Sequence, residues 1–338
     1  MTVSLLAQTQ PMYWLPPDYS THGWQIDQLI NWIHVFMAVL FAGWGVFFAR
    51  CLVKYRYRAN PTALYEPIKA KASKVIEAAV VVIEVVLLVA FAIPVLAEYK
   101  NDPPKPEDNP FEVHVVAQQF AWNIHYPGPD GKFGKRNAKL VSDANGNPLG
   151  LDRDGDPDAK DDIVANNELH LPVGRPVIVK LTSKDVIHSF SVPMLRVKQD
   201  TVPGMEIPVW FTVKEGTSSD AIRETMIRTV SVPPAGQNPR DFVMWCTNNI
   251  AVEDIKGADG TVIVGKGREP SAEHVEALQK AGIGEIRVAP RHPVEIHCTQ
   301  LCGITHYKMR GFVILMPPDE FEAWYAEQAA GGDEFIEE

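Results

Sequence analysis

The chain has 338 residues, four cysteines and a formal net charge of −10. This length suits one large or two modest domains, and four cysteines are too few for a disulfide scaffold of this size. The negative charge argues against a nucleic-acid partner but suits docking of a basic protein. No Cys-x-x-Cys-His sequence occurs, so no covalently attached c-type haem is expected.

Two apolar runs, residues 29–49 and 75–97, lie in the first hundred residues. Each reaches the roughly 20 residues that a helix needs to cross a bilayer core. No Lys or Arg precedes the first run, which argues against a signal peptide. The positive-inside rule predicts a cytoplasmic loop between the runs and both termini outside, because the loop concentrates the basic residues Arg50, Lys54, Arg56, Arg58, Lys69, Lys71 and Lys74.

Two acidic residues, Glu77 and Glu84, interrupt the second run. They are seven positions apart and therefore share one face of a helix. A carboxylate facing lipid is costly, so Glu84 favours a partner subunit in the membrane. Glu77 lies nearer the end of the run, and a position at the headgroup boundary is an equal alternative for it.

From about residue 102 the chain shows short β-rich runs between turn residues, which predicts an antiparallel sandwich or barrel. The predicted strands are residues 111–116, 121–126, 168–171, 176–181, 189–192, 209–213, 294–298 and 311–316.

Residues 130–163 and 216–291 read as insertions in this β domain, and the second contains a predicted helix at 271–281. Alternating Asp residues in 152–162 faintly resemble a calcium loop, but Ile163 stands where a terminal Glu is needed. A solvated acidic loop is therefore expected in the first insertion.

Cys298, Cys302, His306 and Met309 fall within twelve residues. Thiolates with a thioether favour copper over hard cations, and two thiolates can bridge two copper ions that share one electron. A structural zinc site more often shows Cys-x-x-Cys and gains little from Met, while a disulfide leaves the His and Met without a role. One more histidine is needed, and spacing leaves the candidates His114, His125, His170, His188, His292 and His297.

The spacing Cys-x3-Cys-x3-His-x2-Met resembles subunit II of haem-copper cytochrome c oxidases, as do residues 185–189 and 198–204. The resemblance implies two N-terminal transmembrane helices followed by an all-β cupredoxin-like sandwich with two insertions. It also implies a binuclear copper centre, Cu(A), whose ligands are His188, Cys298, the Gln300 backbone carbonyl, Cys302, His306 and Met309. Where the family has a Glu that helps hold magnesium at the subunit interface, this chain has Gln300, so a magnesium site is not supported.

The resulting domain prediction has four parts: an outer segment 1–28, a transmembrane hairpin 29–100, a copper domain 101–320 and an acidic tail 321–338. By the same resemblance, Phe120 and Trp122 receive electrons from the donor, although the family usually has Trp at the Phe120 position. Asp185 matches an acid that attracts cytochrome c, and Glu77 matches a residue at the mouth of a proton channel.

The implied function is to accept electrons from cytochrome c, another periplasmic donor or a donor complex. The chain would pass them to haem in a separate subunit I, alongside subunit III, for proton-pumping reduction of oxygen to water. The implied location is a bacterial inner membrane with the copper domain outside. Three rival functions fit the sequence less well. A quinol oxidase subunit II would have lost the copper ligands, a membrane-anchored copper carrier needs no binuclear ligand set, and nitrous oxide reductase carries a propeller-sized domain.

Overall fold

The computed structural model describes residues 15–58, 62 and 71–331. It divides into two compact units, Met1–Pro103 and Pro104–Glu338. Three parts of the sequence predictions lie outside the described residues: residues 1–14 of the outer segment, residues 59–61 and 63–70 of the basic loop, with Lys69 among them, and residues 332–338 of the acidic tail.

The first unit contains helices α1 (Gly23–Lys54), α2 (Lys71–Leu87) and α3 (Ile93–Asn101), with a π-helical turn at Leu88–Ala92 between the last two. Two continuous helical stretches, Gly23–Lys54 and Lys71–Asn101, are long and apolar enough to cross a membrane. Pro94 has no amide hydrogen for the preceding turn, and the widened π turn lies directly before it. The prediction of two apolar N-terminal helices is confirmed.

Two five-stranded sheets form the main body of the second unit. The first has the strand order β3-β2-β1-β5-β8 and consists of β1 (Phe111–Gln118), β2 (Ala121–Tyr126), β3 (Ile163–Asn166), β5 (Pro176–Ser183) and β8 (Ile207–Thr212). The second has the order β4-β15-β14-β6-β7 and consists of β4 (Glu168–Pro172), β6 (His188–Val192), β7 (Val197–Thr201), β14 (Glu295–Cys298) and β15 (Arg310–Met316).

The predicted antiparallel pairing is wrong for one strand pair in each sheet. Strand β1 pairs in parallel with β5, and β4 pairs in parallel with β15. The paired strands are separated by long stretches of chain, as parallel pairing requires a crossover. The cupredoxin-like sandwich itself is confirmed as the fold class.

The core between the sheets follows from alternation along the strands. In β5, Val177, Val179 and Leu181 are buried while the residues between them are partly exposed. Trp122 of the first sheet meets Phe190 of the second edge to face, with ring centroids 5.7 Å apart. Phe190 is also the strand partner of Cys298, so this contact lies beside one of the cysteines.

Helix α7 (Pro318–Gly331) occupies the start of the segment predicted as an acidic tail. Its Phe321 is buried and packs edge to face on Phe111 of the first sheet. Its Trp324 stacks on His170 of the second sheet, with ring centroids 4.1 Å apart. The helix therefore ties the two sheets together.

The first insertion packs against the first sheet. Its apolar residues Leu149, Leu151 and Ala159 form a small core with Val116 and Val164. Asp156 and Asp162 are buried, so the expectation of a solvated loop is wrong for these two carboxylates. Their oxygens accept hydrogen bonds from backbone amides, and His125 lies 2.7 Å from Asp162 as well.

A guanidinium lies among the carbonyl groups of this loop. Arg153 donates hydrogen bonds to the backbone oxygens of Ala159, Lys160 and Asp162 at 3.0–3.2 Å. A calcium loop also uses inward-facing backbone oxygens, but here a fixed side-chain cation satisfies them. The acidic loop thus has its own internal positive charge.

We expect Arg153→Ala to lower the stability of the second unit by on the order of 2 kcal/mol, because three hydrogen bonds from a cation are lost. Thermal unfolding of the full chain in detergent measures this change. Lys160→Ala, an exposed change in the same loop, is the matched control. Added calcium is expected to leave the melting temperature unchanged, and a calcium-dependent rise in the parent chain would contradict this interpretation.

The second insertion is a folded subdomain. Its strands are β9 (Arg228–Ser231), β10 (Asn249–Ala251), β11 (Ile255–Lys256), β12 (Val262–Val264) and β13 (Glu285–Pro290), and its helices are α4 (Ser219–Thr225), α5 (Arg240–Cys246) and α6 (Ala272–Lys280). Helix α6 confirms the predicted helix, with Ser271 as its N-cap. Phe242, Cys246, Leu278 and Val288 belong to a separate core, where burial raises the pKa of the Cys246 thiol to about 11.

Candidate metal centre

Neighbouring strands of the second sheet bring the predicted ligands together. His188 opens β6, and Cys298 ends the antiparallel strand β14 beside it. Residues 299–309 then form the loop from β14 to β15, which carries Cys302, His306 and Met309. The ends of two adjacent strands and one hairpin loop therefore supply all the side chains of the cluster.

The donor atoms in this cluster lie close to one another. Cys298 Sγ is 3.8 Å from Cys302 Sγ and 3.9 Å from His188 Nδ1. Cys302 Sγ is 3.5 Å from His306 Nδ1 and 3.7 Å from Met309 Sδ. The ligand atoms of His188, Cys298 and Cys302 all fall within 4.8 Å, a spacing that a metal ion can bridge.

Four of the five side chains in the cluster are buried, and His306 is partly exposed. His188, Cys298, Cys302 and Met309 are buried, whereas the side chain of Gln300 is exposed. Only the backbone of Gln300 turns toward the cluster, and its carbonyl oxygen lies 3.2 Å from Cys298 Sγ. This orientation agrees with the predicted carbonyl donor.

The two thiols differ sharply in acidity. Burial raises the pKa of Cys298, but hydrogen bonds with His188 and the neighbouring backbone outweigh it and lower the pKa to about 6. Burial and the negative charge of Cys298 raise the pKa of Cys302 to about 12. Two thiolates so close repel each other, so the pair needs a cation between them to ionise fully.

The donor set fits copper better than zinc. Two thiols, two imidazoles, a thioether and a carbonyl exceed the four ligands of a tetrahedral zinc site. Soft sulfur donors also select copper over hard cations. Cys298 and Cys302 are free thiols rather than a disulfide. The residues present therefore fit a copper centre with more than one ion.

Among the six candidate histidines, the structure brings His188 to the cysteines, where it joins His306 of the ligand loop. The others have different neighbours. His114 stacks on Phe133, His125 contacts Asp162, His170 stacks on Trp324, His292 stacks on Phe312, and His297 lies 3.7 Å from Glu295. Position 188 thus agrees with the choice made from the resemblance.

The two predicted electron-receiving aromatics lie beside the cluster at different depths. Trp122 is fully buried, and its ring centroid is 6.3 Å from that of His188. Phe120 is partly exposed and lies against Gly303 in the ligand loop. A Cβ at Gly303, which has φ +145°, would lie 2.7 Å from Gln119 Nε2 and 2.9 Å from Phe120 Cζ. Only glycine allows this approach.

The structure also adds a residue that the sequence did not indicate. Gln119 Nε2 donates a hydrogen bond to the backbone oxygen of Cys302, and Gln119 N donates one to Asp185. Nothing in the pattern around Gln119 predicts a partner 183 positions away. Glu77, the remaining predicted site residue, lies on α2 in the first unit.

Residues 149–220 match the family described as cytochrome c oxidase subunit II, periplasmic domain. An alternative cytochrome c oxidase subunit 2 of Bradyrhizobium diazoefficiens is 36% identical over 214 residues, which cover 61% of this chain and 72% of that protein. The cytochrome c oxidase subunit 2 of Cereibacter sphaeroides is 26% identical over 197 residues, covering 54% of this chain and 62% of that protein.

Among solved structures, the periplasmic domain of subunit II of cytochrome oxidase from Bradyrhizobium japonicum aligns with 65% of this chain and 94% of that one. The TM-score is 0.31 at 17% identity. The identity and coverage of the Bradyrhizobium diazoefficiens relative, together with the family match, establish the relationship. The chain belongs to the family of cytochrome c oxidase subunit II, a family that binds copper.

Proposed function

We propose that this chain accepts electrons outside the membrane at a binuclear copper centre and delivers them to haem in subunit I of a haem-copper oxidase. The observation that carries the proposal is the pair of buried free thiols 3.8 Å apart, flanked by imidazole and thioether donors. The predicted ligands are His188, Cys298, the Gln300 carbonyl, Cys302, His306 and Met309.

When bound, such a centre supplies a one-electron couple whose charge is shared by two metal ions. The protein supplies rigidity: His188 begins a strand, Cys298 ends the strand beside it, and the loop that follows Cys298 is packed against Gln119 and Phe120. Because the side chains are held by the sheet and shielded from water, little rearrangement is needed when the charge changes.

The donor is proposed to dock on the ligand-loop end of the sandwich. Leu301, Ile304 and Tyr307 are 78%, 90% and 77% exposed there, which gives an apolar contact surface next to the cluster. The net charge of −10 suits a basic partner such as cytochrome c. Phe120, partly exposed and touching the ligand loop, is the proposed point of electron arrival, with the buried Trp122 behind it.

The remaining parts of the proposal concern the membrane. The two apolar helices support an anchor in a bacterial inner membrane, and the basic residues between them support a cytoplasmic loop with the copper domain outside. Partners are proposed to be subunits I and III, and Glu77 is proposed to lie at the mouth of a proton channel. The 216–291 subdomain is a candidate surface for a larger donor complex.

Copper loading of the full chain in detergent tests the proposal. We expect two copper ions per chain, a purple colour and a mixed-valence electron spin resonance spectrum with seven hyperfine lines. A four-line spectrum with one copper ion would instead indicate a mononuclear site, and preferential binding of one zinc ion would favour a zinc site. A chain that binds neither metal would resemble the quinol oxidase alternative.

A further inference from the structure

The carboxylate of Asp185 makes four hydrogen bonds inside the protein, the longest of them accepted by Oδ1 from Ser183 Oγ at 3.4 Å. Its Oδ1 accepts from Val186 N at 2.6 Å and lies 2.8 Å from His188 Nε2, while its Oδ2 accepts from Gln119 N at 2.7 Å. The resemblance alone implies that this residue attracts the electron donor. An acid that only attracts a docking partner has no need of such contacts, and these bonds neutralise part of its charge locally.

The contact with His188 determines which ring nitrogen is available to a metal. An ionised carboxylate only accepts hydrogen bonds, so Nε2 carries the proton. The other nitrogen, Nδ1, then presents its lone pair toward Cys298 Sγ, 3.9 Å away. A carboxylate behind a ligating imidazole fixes both its orientation and its tautomer, and it strengthens the imidazole as a donor.

Gln119 extends this arrangement to the second ligand segment. Its backbone amide bonds Asp185, and its side-chain amide bonds the backbone oxygen of Cys302. The turn between β1 and β2 is thereby tied to the strand that carries His188 and to the loop that carries Cys302. The two halves of the cluster are held in register by one carboxylate and one amide.

We infer that Asp185 is a positioning residue that orients His188 toward the metal and, through Gln119, aligns it with the Cys302 loop. This inference rests on the proposed copper function, because it assigns His188 as a ligand. In this role, Asp185 affects the properties of the metal centre itself, even when no electron donor is present. A docking role would affect only the reaction with the donor.

The experiment compares the full parent chain with Asp185→Asn and Asp200→Asn, each in detergent. Asn has one acceptor oxygen where Asp has two. Its NH2 group, a donor, would therefore face another donor, either Gln119 N–H or His188 Nε2–H. Asp200 is an exposed carboxylate on β7, the strand that pairs with β6, and is the matched control for charge near the site. Copper(I) affinity is measured by competition with a chelator, and the reduction potential and imidazole hyperfine couplings are measured on the copper-loaded chains.

Asp185→Asn is expected to weaken copper(I) binding about 10- to 100-fold. It should also raise the reduction potential, since a poorer imidazole donor stabilises the oxidised centre less, and change the hyperfine coupling of one imidazole. Asp200→Asn should match the parent in all three. Parent-like values for Asp185→Asn, with only a slower and less salt-sensitive donor oxidation, would restore the docking role and overturn the inference. Equal effects from Asp200→Asn would do so too.

Thermal unfolding of the metal-free chains shows whether a substitution impairs folding rather than the positioning of His188. If Asp185→Asn does not fold, Asp185→Glu provides the test of positioning. Glu keeps the charge but moves the oxygens by one methylene group, so the potential and imidazole coupling should still differ from those of the parent. Parent-like values for Glu would mean that only charge matters and would overturn the inference. If the parent chain itself fails to bind two copper ions, the copper proposal fails instead, which distinguishes the two.

Discussion

Replacing Cys302 with Ser is expected to abolish the two-copper centre while the sandwich stays folded. Cys302 Sγ lies within 3.8 Å of Cys298 Sγ, His306 Nδ1 and Met309 Sδ, so it is the atom shared by most of the cluster. A serine hydroxyl is a hard donor that does not ionise near neutral pH, and it cannot bridge two copper ions as a thiolate does. The loss should exceed the roughly 10- to 100-fold drop in metal affinity seen when a supporting hydrogen bond is removed.

Copper content, the spin resonance spectrum and the rate of donor oxidation measure this effect. We expect at most one copper ion per chain, no seven-line spectrum and no measurable electron uptake. Circular dichroism should be unchanged because the substitution keeps the side-chain volume nearly constant. Cys51→Ser, which lies on α1, is the control and should retain two copper ions. Normal donor oxidation by the Cys302→Ser chain would refute the assignment.

Trp122→Ala is expected to destabilise the metal-free second unit, Pro104–Glu338, by about 3–5 kcal/mol, the usual cost of removing a large buried aromatic side chain. Trp122 is fully buried and contacts Phe190 across the two sheets. Its ring also lies beside His188, so the cavity would open under a predicted ligand. Denaturant unfolding of the metal-free full chain measures the change.

Trp122→Phe separates packing from electron transfer at the same position. This variant keeps an aromatic ring and most of the stability, so it tests whether the indole also carries electrons. Trp245→Ala, which removes a half-exposed Trp from the 216–291 subdomain, should cost about 1 kcal/mol or less. Equal losses at positions 122 and 245 would mean that the inter-sheet contact contributes little to the fold.

Local patterns in the sequence predicted much of the sandwich. Strand β2 has the predicted bounds, and β5 and β15 extend beyond their predicted bounds by two residues and one residue. Strand β7 was missed because Val197–Thr201 reads Val-Lys-Gln-Asp-Thr, with four polar residues in a row. It is an edge strand of the second sheet, where polar side chains face solvent. Edge position cannot be read from a single segment.

The sequence likewise predicted only part of the metal cluster. Cys298, Cys302, His306 and Met309 lie in one short segment, the end of β14 and the loop after it, so their spacing alone was informative. The contacts of Gln119 with Asp185 and with Cys302 span 66 and 183 positions, and no local rule predicts them. Likewise, the alternating Asp residues of 152–162 suggested a loop that interacts with a bound cation or with water. In the structure, the Arg153 side chain instead donates hydrogen bonds to the backbone oxygens of this loop.

His188 and Cys298 are 110 positions apart, and the separately cored subdomain lies between them. The ends of that subdomain are fastened together, because Arg223 donates hydrogen bonds to the backbone oxygens of Pro290 and Arg291. Once the subdomain folds, its two ends lie close together. The chain that connects β8 to β14 then behaves as a short connection rather than a long flexible loop. The entropy lost on joining the two strands then falls, since that cost grows with the logarithm of loop length. The folded subdomain therefore lowers the entropy cost of bringing His188 and Cys298 together.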